Sequence, residues 1–167
     1  MSVPTAEERV LELGLEIPDY ATPPYGGRYG RMKAFHRVGD FVELSGITPE
    51  TRSGERLHPG TVGVDITTEQ GYEAARMTAI NTLGIIRYAL GSLDNVAALS
   101  RALCFVVCPP GFEDLHLVSN GANDVFLDVF GTEIGSAGRA SIGSTALSRG
   151  NCFELWLSLE SVSGRAV

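Results

Sequence analysis

The two C-terminal segments carry the residues best suited to chemistry. Along residues 151–161 the pattern alternates, with Phe153, Leu155, Leu157 and Leu159 on one side and Glu154, Trp156, Ser158 and Glu160 on the other. On the segment before it, residues 139–147, Arg139, Ser141, Gly143 and Thr145 share one side and Ala140, Ile142, Ser144 and Ala146 the other. A planar guanidinium binds a planar carboxylate through two parallel hydrogen bonds. A carboxylate orients a water molecule and moves its proton. Read as a short antiparallel hairpin turning near Ser148, Arg149 and Gly150, the two strands also allow Arg139 and Glu154 to pair with each other as a salt bridge. The leucine side must cover helices. A face bearing an Arg, a Glu, small residues and the chain's only Trp then points to packing against another subunit, with a polar pocket at the seam. A solvated face with one stray aromatic is the plain alternative.

Other groupings are weaker. Cys104 and Cys108 would lie about 13 Å apart on one strand, too far to hold a common metal, so core packing is expected for them. His36, His58 and His116 share no ligand spacing. The local cluster of Arg28, Arg31, Lys33 and Arg37 reads as a solvated strand face. Gly26-Gly27 and the glycines of 135–138 lack the strand-to-helix setting of a phosphate loop.

The chain has 167 residues, 44% hydrophobic and 20% charged, which suits one globular domain over 1–167 with residues 1–20 as an N-terminal helical extension. Twenty acids against thirteen bases give a net charge of −7, a balance that disfavours nucleic acid as a partner. Three cysteines, no apolar run long enough to span a bilayer and no charged leader give the expectation of a cytoplasmic protein with free thiols and no membrane partner.

The elements that must position these residues are legible in order. Residues 4–15 suit a short helix that Pro18 stops, and the Pro- and Gly-rich stretch 19–30 is irregular. Residues 31–38 and 41–45 make a hairpin around Gly39-Asp40, and one short strand is expected near 62–66. Thr67 and Gln70 form a capping box for a long helix that ends at Gly91. A strand over 96–107, a second long helix over 112–130 and the C-terminal pair complete an α+β fold, a mixed sheet with two long helices on one face.

Three strings in this order resemble the reactive intermediate deaminase family, small imine and enamine deaminases. They are Phe41-Val42-Glu43-Leu44-Ser45-Gly46, the helix from Gly71-Tyr72-Glu73 to Leu93-Asp94, and Gly138-Arg139-Ala140-Ser141-Ile142-Gly143 with Glu154 fifteen residues after Arg139. The similarity runs over residues 5–162 and is best to a longer branch with an extra N-terminal helix. It implies a chorismate-mutase-like fold and a homotrimer whose clefts lie between subunits. It also implies that Arg139 binds the carboxylate of a 2-imino acid and that Glu154 handles the water. Ser45, Gly46, Asn120 and Ser141 fall on substrate-binding positions. Ser141 stands two residues after the arginine, where the archetype often has Cys, which excludes a reactive thiol there. Met32 stands where a Tyr is expected, with Tyr25 or Tyr29 as replacements from the loop.

Hydrolysis of a protonated imine needs no metal or organic cofactor, because its carbon is already electrophilic. The expected activity is hydrolytic deamination of reactive 2-imino and enamine acids to 2-oxo acids and ammonia. One alternative is a pathway-specific deaminase of a larger, aminomuconate-like unsaturated amino acid. Another is a non-catalytic trimer that binds small carboxylates or a protein. A ribonuclease is disfavoured by the acidic balance and the lack of a catalytic His pair.

Overall fold

The computed structural model describes residues 3–21 and 32–162, and over these the chain builds one five-stranded sheet covered on one face by helices. Tyr25, Tyr29, Arg28, Arg31 and the glycine pair at 26–27 lie outside the described residues. In chain order the elements are α1 (Ala6–Glu12), β1 (Phe35–Val38), β2 (Phe41–Leu44), α2 (Thr68–Leu90), β3 (Val96–Val107), α3 (Leu115–Gly135), β4 (Gly138–Ser144) and β5 (Phe153–Ser161), with 3-10 turns at Leu93–Asn95 and Ser148–Gly150.

Local signals fix most of these boundaries. Thr67 accepts from the Gln70 amide while Gln70 reaches back to the Thr67 amide, so two otherwise orphaned donors at the start of α2 are satisfied. Gly91 closes the helix at φ 77°, a left-handed conformation that suits a residue without Cβ. The expected strand near 62–66 is not formed. Val62 and Ile66 meet in an isolated bridge, because Gly63 at φ 84° turns the backbone between them.

The sheet order is β1-β2-β5-β3-β4, with β3 and β4 parallel and the other pairings antiparallel. This corrects the C-terminal hairpin. β5 does not return beside β4 but inserts between β2 and β3, leaving β4 as an edge strand on the far side of β3. The reason is burial. Phe153, Leu155, Leu157 and Leu159 are all at most 1% exposed, and the centre of the sheet, under α2 and α3, is where such a strand loses most water contact. Strand β4, whose residues are half-buried or exposed, suits the edge.

Helix α1 is fastened to the body through Glu7. Its carboxylate accepts from Arg87 Nε at 3.1 Å and from Arg87 Nη2, and from the Leu93 amide at 2.9 Å. Burial works against the charged form, but the bonds from Arg87, Leu93 and Ser92 together hold the carboxyl below its usual value. A depressed folded-state pKa means that the stabilisation is present above the ordinary carboxylate range and fades as pH falls through the folded value. Glu7→Gln is expected to lower the melting temperature by about 2–4 °C at pH 7, for about 1 kcal/mol at this partly solvated site. That gap narrows on acidification, which a series of melts from pH 7 to pH 3 measures.

Candidate active site

The residues singled out in the sequence fall into two groups on opposite faces of the sheet. Arg139 is the lateral partner of Ala102, and Ala102 in turn of Leu157, all three on the helix-covered side. Glu154 pairs with Phe105, three positions further along β3 with no irregularity between. An odd offset on a pleated strand reverses the face. Arg139 and Glu154 therefore neither share a face nor form a cross-strand salt bridge, which corrects both expectations drawn from the hairpin reading.

The first group lies between the edge strand β4 and α3. Arg139 Nη1 donates to Asn120 Oδ1 at 2.9 Å, which fixes one arm of the guanidinium. One step along the same side of β4, the Ser141 hydroxyl donates to Ser119 Oγ at 2.8 Å, and Ser119 donates on to the Leu115 carbonyl. Cys104 is the lateral partner of Ser141 on β3. Burial pushes the Cys104 thiol up, with the Ser119 bond and the nearby Arg139 opposing. Ser119 was not selected from the sequence, because neither helix periodicity nor strand alternation marks a polar contact between an edge strand and a helix, whereas Cys104 is buried as its core-packing reading expects.

The second group lies on the uncovered face. Strand β2 ends at Leu44, and the chain then re-pairs with β5 through the Ile47–Leu155 bridge. Between Glu43↔Ser158 and Ile47↔Leu155, four steps on one chain face three on the other, so a bulge sits at Ser45–Gly46. It brings Gly46 directly under the Glu154 carboxylate. A Cβ at Gly46 would lie 2.2 Å from Glu154 Oε1 and 2.7 Å from Trp156 Nε1. The Trp156 indole N–H donates to Glu154 Oε1 at 2.6 Å, and its ring tilts against Phe105 with centroids 5.4 Å apart. Ser45 sits beside them, but its hydroxyl donates to the Lys33 carbonyl at 2.5 Å and its amide to the Ala34 carbonyl, so it holds the strand end to the entry of β1.

The uncovered face also exposes Val38, Phe41 and Ile142 together with Trp156, which is half exposed. Around Glu154 the face is walled by Trp156, Phe105 and Ile142, while Glu43, Glu160, Arg101 and His36 share the same face further along the strands. Among the described residues no group of three or more His, Cys, Asp or Glu is arranged to hold a metal ion, and no helix is long and apolar enough to cross a membrane.

What fold and site define together is a class of protein with a half-covered mixed sheet and two separate polar half-sites, one at its edge and one on its bare face. Comparisons with known proteins agree on the fold. No protein-family model matches the chain. Protein TCP17 of Trypanosoma cruzi is 31% identical over 143 residues, which span 86% of this chain and 86% of that protein. The crystal structure of a Shewanella oneidensis protein provisionally assigned as an endoribonuclease is 25% identical and superposes with a TM-score of 0.84 over 94% of this chain and 99% of its own. Yersinia pestis YyfA, a protein of unknown function in the conserved Rid protein family, shares the fold at 17% identity, with a TM-score of 0.56 over 78% of this chain and 88% of its own. The chain belongs to the same family as TCP17, and its fold is that of the Rid protein YyfA.

Proposed function

We propose that this protein hydrolyses reactive 2-imino acids, and the enamines that tautomerise to them, to 2-oxo acids and ammonia in clefts between the subunits of a homotrimer. The observation that carries this reading is the separation of Arg139 from Glu154 onto opposite faces of one sheet. A guanidinium at a sheet edge and a carboxylate on an uncovered face serve one substrate when a neighbouring protomer lays its edge against that face.

In such a cleft Arg139, steadied by Asn120, takes the substrate carboxylate in two parallel hydrogen bonds. Glu154 of the neighbouring protomer removes a proton from water as the water oxygen bonds to the imine carbon. The resulting carbinolamine receives that proton on nitrogen, the C–N bond breaks, and ammonia leaves as Glu154 takes the hydroxyl proton and the carbonyl forms. General acid–base assistance of this kind is worth roughly 10²–10⁴-fold. Ser141 and Ser119 line the Arg139 side, while backbone groups at Ser45–Gly46 face the imino nitrogen.

The direct test generates 2-aminoacrylate in situ from serine with a dehydratase and follows pyruvate and ammonia. Release no faster with the protein than without it overturns the reading. A larger unsaturated amino acid is the second reading, favoured by the aromatic pair Trp156 and Phe105 beside Glu154. Comparing imines made from small and aromatic amino acids ranks the two.

Gly46 offers a sharper probe. The atoms that an added methyl group would strike are the far ends of side chains. Gly46→Ala is therefore expected to fold with stability within about 1 kcal/mol of wild type while displacing Glu154. Turnover falls by about tenfold or more, since misplacing a catalytic group by 1 Å costs up to about 10²-fold. An unchanged melting temperature with unchanged turnover sinks the placement of Gly46 in the site.

A further inference from the structure

We infer that Trp156 is a positioning residue for Glu154, holding one carboxylate oxygen so that the other is presented to water. The inference rests on the hydrolytic role proposed for Glu154. On a strand, residues two apart stand on the same face, and side chains as long as Trp and Glu can reach each other there. The indole N–H bonds Oε1 at 2.6 Å, and among the described residues no donor is bonded to Oε2. Below, the absence of a side chain at Gly46 leaves room for this arrangement, since a Cβ there would strike both partners. On its other side the ring leans on Phe105, whose lateral strand partner is Glu154 itself. The carboxylate is thus held by a donor, a floor and a wall.

An indole is an uncommon choice for such a bond. It donates but cannot accept, so it takes no proton from Glu154 and competes for none. A serine or a histidine at 156 would offer an acceptor and leave the proton's location open. The bond to a charged oxygen is of the stronger kind, and it fixes which lone pairs of Glu154 remain available. Trp156 thereby acts on the chemical step through Glu154, without touching the substrate carboxylate that Arg139 binds.

Because Trp156 is the only tryptophan in the chain, growth of a tryptophan auxotroph on an analogue replaces this residue alone. β-(3-Benzothienyl)alanine keeps the ring's size and puts sulfur where the N–H was, and 5-fluorotryptophan keeps the donor. The expected result is a kcat lower by about tenfold to a hundredfold for the benzothienyl protein, with KM within about twofold and the fluoro protein near wild type. Full kcat in the benzothienyl protein overturns the inference while leaving the proposed function standing. Absence of turnover in wild-type and fluoro proteins alike overturns the proposed function and takes this inference with it. A spectroscopic arm needs no turnover. Glu154→Ala removes the acceptor and is expected to shift the emission of the lone indole by several nanometres with the fold intact, and an unshifted spectrum overturns the contact.

Discussion

Glu154→Gln is expected to lower kcat for 2-aminoacrylate hydrolysis by roughly 10²–10⁴-fold, the range of a lost general base. The amide keeps the volume of the carboxylate and still accepts from the Trp156 indole at the oxygen it retains, so packing around Gly46 and Phe105 is preserved. What it loses is a group that takes a proton. KM is expected to change little, because the substrate carboxylate is held from the other half-site. Arg139→Ala acts in the opposite manner. It removes the anchor and leaves Asn120 Oδ1 without its donor, and kcat/KM falls by about 10²–10³-fold through KM. Steady-state kinetics of the two variants separate the roles, and equal effects on kcat and KM in both would contradict the division of labour.

The second large effect is complementation. If each cleft takes Arg139 from one protomer and Glu154 from its neighbour, the two inactive variants repair one another in mixed trimers. Random assembly in equal amounts is expected to restore about a quarter of the wild-type clefts. Were both groups to serve a site within one chain, no mixture would contain a complete site. Co-expression with two different tags, followed by purification on both, isolates the mixed species. Activity there, and none in either parent, is the outcome the shared cleft requires. The opposed faces of Arg139 and Glu154 make this a prediction of the topology.

The Cys104 thiol adjoins the Arg139 half-site without the features of a nucleophile. It is 1% exposed, and burial pushes its pKa up. Cys152 is likewise buried, pushed up to about 11. The presence of Ser141 beside Cys104 therefore leaves the half-site with hydroxyl hydrogen bonding in place of thiol chemistry.

Much of this protein is written in short-range pattern. The capping boxes at Thr5 and Thr67, the stop at Gly91, the span of β3 and the alternation of β5 each follow from interactions within a few residues. Residue type and spacing also placed Arg139 and Glu154 among the candidates, and the family resemblance added Asn120. Pairing between strands is another matter. Hydrophobic alternation says which side of β5 is buried but not which strands flank it, and the adjacency of residues 139–147 and 151–161 in the chain favoured a hairpin that burial of the leucine side overrode. Glu50 shows the same limit. Its place in a loop gives no hint that it is 6% exposed, bonded by Asn151 and near Arg149 from the segment before β5. The face on which a strand residue points is set locally by its parity, whereas which residues of two strands share that face is set by register, and register is decided only when the whole core closes. Hence the types of the reactive groups belong to the sequence, and their division between two faces of one sheet belongs to the tertiary structure alone.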